Sequence, residues 1–315
     1  MRVAVLPTGR TELRGLGRAL GRLFPGHEFY CLADPAEDDR HSRESPYRGF
    51  TSLALRMADE VDPPESACDL VGSAAAEALG DRRREAADLV LVVDDLELCN
   101  ANQPARVVAV MRKAVEKHLG NLHPQIGIYT RTRNALLTKV SFHLIAPMIE
   151  AWFFADPAAL QRAGVPAGMP VCFAASTDPE AFVTVDAAYL AATAAGCSVL
   201  STLPLNKQKK HRPAWMGTLP RERPPKGYLQ WLCRAPGERS CTTYSETADG
   251  GPALADIGWQ MLLGRPGVHF QFLRALIQDL EDGLNRPLAN LPVNSTASPV
   301  TARSGAPLNA VLRNL

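Results

Sequence analysis

Five apolar residues, Leu89-Val90-Leu91-Val92-Val93, run without a break into Asp94-Asp95-Leu96-Glu97. A short, continuous apolar run of this kind is that of a buried strand, and its abrupt polar end puts three carboxylates at one strand terminus. The chain opens on a similar run, Arg2 to Pro7, followed by the turn Thr8-Gly9-Arg10-Thr11. Leu13, Leu16, Leu20 and Leu23 then recur at spacings of three and four. That period predicts an amphipathic helix with Thr11 as its N-cap and Glu12 at its start.

The alternation continues down the chain. The pattern predicts a strand over 27–33, a helix over 65–79, the strand at 88–97 and a helix over 104–119, then strands at 125–130 ("QIGIYT") and 138–145. Residues 34–64, rich in Asp, Arg, Ser and Pro, read as a surface loop with little structure. Pro147 suits the first turn of a helix, and Asp156-Pro157 caps and starts the next. Strands alternating with helices predict an α/β fold with a mainly parallel, Rossmann-like sheet and helices on both faces, over residues 1–165. Residues 166–286 read as a C-terminal extension with a basic loop and two closing helices, the second near 268–284. Residues 287–315 lack a pattern and read as a disordered tail.

Composition narrows the functional classes. Of 315 residues, 46% are hydrophobic and 21% charged, the balance of an ordinary globular chain. The net charge of +1 gives no global attraction to polyanions, so such contact must come from a local patch. Seven cysteines without a CxxC pair offer neither a disulfide framework nor a zinc site. No run approaches the roughly 20 apolar residues of a membrane span, and the N-terminus turns polar too early for a signal peptide. The expectation is a cytoplasmic protein with no membrane partner.

Ligands of open α/β sheets bind beyond the carboxyl ends of the strands. At that edge Asp95 and Glu97, with Asp94 beside them, have the residue types and spacing to share a divalent cation. Magnesium, or manganese, suits a sparse set of one or two carboxylates completed by waters and phosphate oxygens. The competing reading is a solvated acidic turn. Glu150 poses a separate question, because it lies within the apolar run Met148-Ile149 and Trp152-Phe153-Phe154. A carboxylate there needs a partner, a metal or a raised pKa, unless it sits on an exposed helical edge. The second local feature is basic: Lys207, Lys209, Lys210, Arg212, Arg221, Arg223 and Lys226 stand against the single acid Glu222, with Trp215 and Tyr228 nearby. Such a loop can neutralise nucleic-acid phosphates, or it can be a solvated charge run.

A strand followed by "GRTE", a strand ending "VVDDLE", the block "PMIEAWFFADPAAL" and a late "PPKGYLQWL" together resemble TOPRIM-like bacterial proteins, in particular the domain-of-unknown-function family 4276. The resemblance spans roughly residues 1–285 and is most specific at Ile149-Glu150-Ala151-Trp152 to Ala155-Asp156. It implies a TOPRIM fold in which acids hold magnesium for phosphodiester chemistry, and a nuclease, often in anti-phage defence beside an ATPase partner. Carried over by position, Asp95 and Glu97 match the acidic pair after the central strand, with Asp94 as a substitute. Glu12 matches the second acid of the first motif, and Glu150 the acid of the tryptophan block. One departure stands out: Leu6-Pro7 occupies the place of the family's Val-Glu-Gly, so the strand-one glutamate is replaced. That leaves a magnesium-dependent nuclease, a catalytically degraded sensor or scaffold acting with an ATPase, and a small-substrate phosphatase as the readings to separate.

Overall fold

The computed structural model describes residues 1–34, 45–81, 85–173, 177–192, 220–233, 244–264, 270–288 and 309–315. Strand β1 (Arg2–Pro7) pairs in parallel with β2 (Glu28–Cys31) on one side and β3 (Leu89–Asp95) on the other; β3 pairs in parallel with β4 (Val140–Ile145). The sheet order is β2-β1-β3-β4. Helix α1 (Arg10–Leu23) links β1 to β2, α2 (Glu65–Leu79) precedes β3, and α3 (Pro104–Leu122) and α4 (Ile126–Lys139) lie between β3 and β4. From β1 the chain steps outward to β2 and then back across to β3. The carboxyl ends of β1 and β3 therefore flank the topological switch point, where such sheets open a crevice.

Strand periodicity divides the sheet into two cores. Val3, Val5, Leu89, Leu91 and Val93 face one side, with Leu16 and Leu20 of α1. Ala4, Leu6, Val90 and Val92 face the other, against Leu70 and Val71 of α2 and Val110 and Met111 of α3. With both faces covered, an uninterrupted apolar run is what β3 requires. Truncating a residue such as Leu91, fully buried, to alanine costs about 2–5 kcal/mol.

The C-terminal extension completes the first of these cores. Helices α5 (Glu150–Phe153) and α6 (Pro157–Arg162) are followed by the short α7 (Ala187–Leu190) and α8 (Pro225–Leu232). Then come α9 (Gly251–Ala255), α10 (Trp259–Leu263) and α11 (Gln271–Gly283). Trp152, Tyr228, Leu254, Leu262 and Leu276 share one apolar cluster with α1 and β3. Helix α9 crosses α1 so closely that a Cβ on Gly15 would lie 2.5 Å from the Gly251 carbonyl oxygen. The extension and the strand–helix core are thus joined through one interior.

Several expectations are corrected. "QIGIYT" begins α4 and is not a strand. Its Ile126 and Ile128 are exposed, whereas Thr132, Ala135 and Leu136 are the buried positions, at a helical spacing that continues past the run. Gly9, not Thr11, is the N-cap of α1, and Thr11 is buried in the first turn. Pro147 precedes α5 instead of starting it, because its carbonyl accepts the Glu97 N–H at 2.8 Å and prolongs the β3–β4 ladder. The 34–64 segment is anchored where it is described: Phe50 and Leu55 are buried, and Asn100 donates to the Thr51 and Leu53 carbonyls. The tail expected over 287–315 ends in a docked segment. Asn314 brackets Phe142 of β4 through both backbone groups, and Leu312 and Leu315 are buried in the second core. Arg313 binds Asp279 of α11, which also holds the buried His143.

Candidate active site

Adjacent residues on a strand point to opposite faces, so Asp94 and Asp95 separate at the end of β3. Asp94 takes the α2–α3 side. There the Thr8 hydroxyl donates to its Oδ1 at 2.5 Å, and a Cβ on Gly49 would come within 2.7 Å of the same oxygen. Burial raises its pKa to about 6, against the opposing pull of the hydrogen bond from Thr8.

Asp95 takes the α1 side, and other carboxylates meet it there. Burial first, and then the charges of Glu12, Glu150 and Glu97, push its pKa well above the ordinary carboxylate value. Its Oδ1 is buried without a hydrogen-bond partner. Glu97 reaches this side because the chain turns sharply after β3. Its φ is +58°, a left-handed conformation that a non-glycine residue rarely adopts and that collects at functional sites. Burial, with Glu150, Asp94 and Glu246 nearby, lifts Glu97 to about 7 against the pull of Lys226.

Glu12 arrives from the first turn of α1, one helical turn beyond the Leu6-Pro7 end of β1. Its carboxylate folds back over Gly9, leaving no room there for a side chain. It is 2% exposed, and burial together with the Glu150 charge raises it to about 8.

Glu150, at 3% exposure, lies on no helical edge. Helix α5 is buried around its whole circumference, from Ala151 to Phe153. The Tyr244 hydroxyl donates to Glu150 Oε1 at 3.1 Å and lies 3.5 Å from the Thr11 hydroxyl, so the extension clamps this acid against the start of α1. Gly250 makes the clamp possible, since a Cβ there would collide with the Tyr244 hydroxyl. Burial raises the Glu150 pKa, and Lys226 opposes the rise.

Lys226, on the first turn of α8, forms an ion pair with Glu246. Burial alone would lower its pKa, but the charges of Glu150 and Glu246 outweigh that and raise it. Five carboxylates, those of Glu12, Asp95, Glu97, Glu150 and Glu246, thus gather around one ammonium group. Among the described residues, no group of three or more His, Cys, Asp and Glu is arranged so as to hold a metal ion.

The structure therefore brings Glu12, Asp95, Glu97 and Glu150 together beyond the ends of β1 and β3 and sets Asp94 on the opposite face. The basic loop fares differently. Lys207, Lys209, Lys210, Arg212 and Trp215 lie outside the described residues. Arg221 donates to the carbonyls of Tyr189, Leu190 and Ala192 at the end of α7, Lys226 turns into the acid cluster, and Arg223 is exposed. Tyr228, the described aromatic residue beside the basic loop, is fully buried and offers no stacking face. Tyr244 and Glu246 carry no motif in the sequence. The only local cue is the reciprocal cap in which Ser245 Oγ accepts from the Ala248 N–H and Asp249 accepts from the Ser245 N–H, fixing the turn that presents them.

No protein-family model, curated protein or solved structure matches this chain. Among the described residues no helix is long and apolar enough to cross a membrane.

Proposed function

We propose that the crevice between β1 and β3 is the active site of a divalent-cation-dependent phosphodiester hydrolase, a nuclease in class. The observation that carries this reading is the charge imbalance among the described residues: five buried or half-buried carboxylates face a single lysine at the switch point of a parallel sheet. Carboxylates crowded away from water must take up protons or a cation, and a hard divalent ion is the natural partner of an all-oxygen set. Asp95 and Glu97 are the residues that fit magnesium or manganese. Asp95 presents a buried, unpartnered oxygen on the side of the other acids, whereas that of Asp94 lies on the opposite face, and a sparse protein set suits an ion that keeps its waters. A bound magnesium supplies charge stabilisation at a phosphoryl oxygen and lowers the pKa of a coordinated water.

The chain's own groups supply the rest. Glu12, with a pKa of about 8, is poised to exchange a proton near neutral pH. Glu150, held by Tyr244, fixes the far wall of the crevice. Exposed Arg223 is the described member of the basic loop that can meet a nucleic-acid backbone. The test is cleavage of labelled single- and double-stranded DNA and RNA with magnesium or manganese. Cleavage that disappears in Asp95→Ala supports the reading; no cleavage of any polymer, with no effect of Asp95→Ala on any phosphate ester, removes it.

One observation favours a second reading, a scaffold that works with an ATPase partner. At the end of β1, Leu6 is completely buried and Pro7 follows it, so that strand end offers no carboxylate. Under this reading the purified protein fails to cleave alone and co-purifies with an ATPase from cells expressing both.

A further inference from the structure

From Lys117 to Ile149 the chain carries no Asp or Glu, and Arg131, Arg133 and Lys139 all belong to α4. Lys139 is occupied, since it donates to the Ala78 and Ala87 carbonyls at 3.0 Å. Arg131 and Arg133 are exposed, and among the described residues neither meets an acid. Nearby lysines of α3 are neutralised instead: Lys113 pairs with Glu116 at 3.0 Å and Lys117 with Asp62 at 2.7 Å.

Helical geometry arranges the two free cations. Thr132, Ala135 and Leu136 form the buried side of α4. At 3.6 residues per turn, residues two apart stand roughly 200° from each other. Arg131 and Arg133 therefore flank the exposed side, and the exposed Thr130 and Asn134 lie between them. The Thr130 hydroxyl donates to the Ile126 carbonyl at 2.8 Å, which leaves its lone pairs as acceptors. A groove of about 350 Å3 opens here, lined among the described residues by Tyr129, Thr130, Arg131, Arg133 and Asn134. The corner leading into it stands clear of the fold: from Gly120 to Ile128 every residue but the half-buried Leu122 is exposed.

We propose that the exposed side of α4 docks on double-stranded DNA, with the helix in the major groove and Arg131 and Arg133 on the phosphates at its two sides. The major groove admits an α-helix, and a guanidinium matches phosphate geometry. Thr130 and Asn134, short and uncharged, occupy the centre of the face, where base edges are met. A membrane surface fits less well. Ile126 and Ile128 are exposed, but residues two apart on a helix do not share a face, so they form no apolar stripe. The inference stands whether or not the acids beyond β1 and β3 hydrolyse a phosphodiester.

The experiment is fluorescence anisotropy of a labelled DNA duplex of about 20 base pairs with the full chain, in EDTA, between roughly 50 and 200 mM salt. Wild type is compared with Arg131→Gln/Arg133→Gln and with Lys113→Gln/Lys117→Gln, which removes the same formal charge from already paired positions. Circular dichroism confirms each fold. The arginine pair is expected to weaken binding by about tenfold or more and to reduce the salt slope by about two, one phosphate for each guanidinium. The lysine pair should stay within about twofold, because its charges are already met by acids. Duplex RNA, whose major groove is too narrow for side chains to read, should bind more weakly. No effect of the arginine pair, or an equal effect of both pairs, overturns the inference. So does wild type that binds duplex RNA, single-stranded DNA or phosphatidylserine vesicles more tightly than duplex DNA, or that binds no duplex at all. Arginine-dependent binding without cleavage on adding magnesium supports the inference and removes the nuclease reading; cleavage untouched by the arginine pair does the reverse.

Discussion

Asp94 and Asp95 are neighbours in the chain and opposites in the fold. Asp94 is met by hydroxyl groups and a close glycine, and its burial is eased locally by a short bond from Thr8. Asp95 is met by other acids; each of the two has one buried oxygen without a hydrogen-bond partner, Oδ2 of Asp94 and Oδ1 of Asp95, so it is the surrounding charges that tell them apart. A one-residue step along a strand thus puts one carboxylate beside the Thr8 hydroxyl and the next among other acids, which on the proposed reading share a cation. Polarity at the end of a strand is not by itself a site; the company that each side chain keeps decides it.

The sharpest way to break this contrast is to remove each acid in turn. Asp95→Ala is expected to weaken magnesium or manganese binding by ~100-fold or more, beyond the roughly 10–100-fold typical of an outer-shell partner. Asp94→Ala is expected to leave the affinity within a few-fold but to destabilise the fold by about 1–3 kcal/mol, because Thr8 loses a charge-assisted bond. Isothermal calorimetry and chemical denaturation read the two effects separately. Equal losses of affinity would erase the distinction.

The pH dependence of stability extends the comparison to a second region, the clasp of the C-terminal segment. Glu12 and Glu97 are raised from 4.5 to about 8 and about 7 by burial and neighbouring acids. The folded state holds their protons longer than the unfolded state does. Their contribution to stability is therefore complete below 4.5 and is lost as pH climbs through 7 and 8. Without divalent cations, the melting temperature should fall between about pH 5 and pH 9, and saturating magnesium should flatten the fall. Asp279 behaves oppositely: burial would raise it, but the His143 hydrogen bond and the Arg313 charge hold it below its ordinary value of 3.8. Its contribution is present above 3.8 and is lost as pH drops through the lower folded value. Hydrogen exchange at β4 should therefore accelerate in strong acid, and Arg313→Ala should cost about 1–3 kcal/mol at neutral pH.

The smallest expected effect concerns Gly9. Its backbone is in the ordinary extended region, so alanine is conformationally acceptable there; the Glu12 carboxylate is what fills the space. Gly9→Ala should displace Glu12, lower any hydrolytic rate by about tenfold or more, and leave cation affinity nearly unchanged, if Glu12 serves proton transfer and not the cation as proposed. A wild-type rate in Gly9→Ala would remove Glu12 from the chemistry.

Much of the strand–helix core was legible because β1, β3 and their helices announce themselves by period: apolar runs for strands covered on both faces, three-and-four spacing for α1. "QIGIYT" misled because β-branched and aromatic residues were read as burial, whereas Ile126 and Ile128 face solvent and the buried stripe begins at Thr132. Glu12, Asp95, Glu97 and Glu150 could be picked out as acids at strand and helix ends. Their convergence depends on the sheet order, and strand parity sets Asp94 on the other face from them. Tyr244 and Glu246 were beyond reach, since a lone tyrosine and glutamate about 230 residues from α1 meet it only through tertiary packing. The direction of Lys226 was hidden for the same reason: a cation in a basic loop reads as outward-facing until five acids are seen behind it.

The most direct test is calorimetric titration of magnesium and manganese into wild type, Asp95→Ala/Glu97→Ala and Asp94→Ala. The account predicts binding in wild type, its loss in the double variant and its persistence in Asp94→Ala. Wild-type protein that binds neither ion, or a double variant that binds as well as wild type, would contradict it.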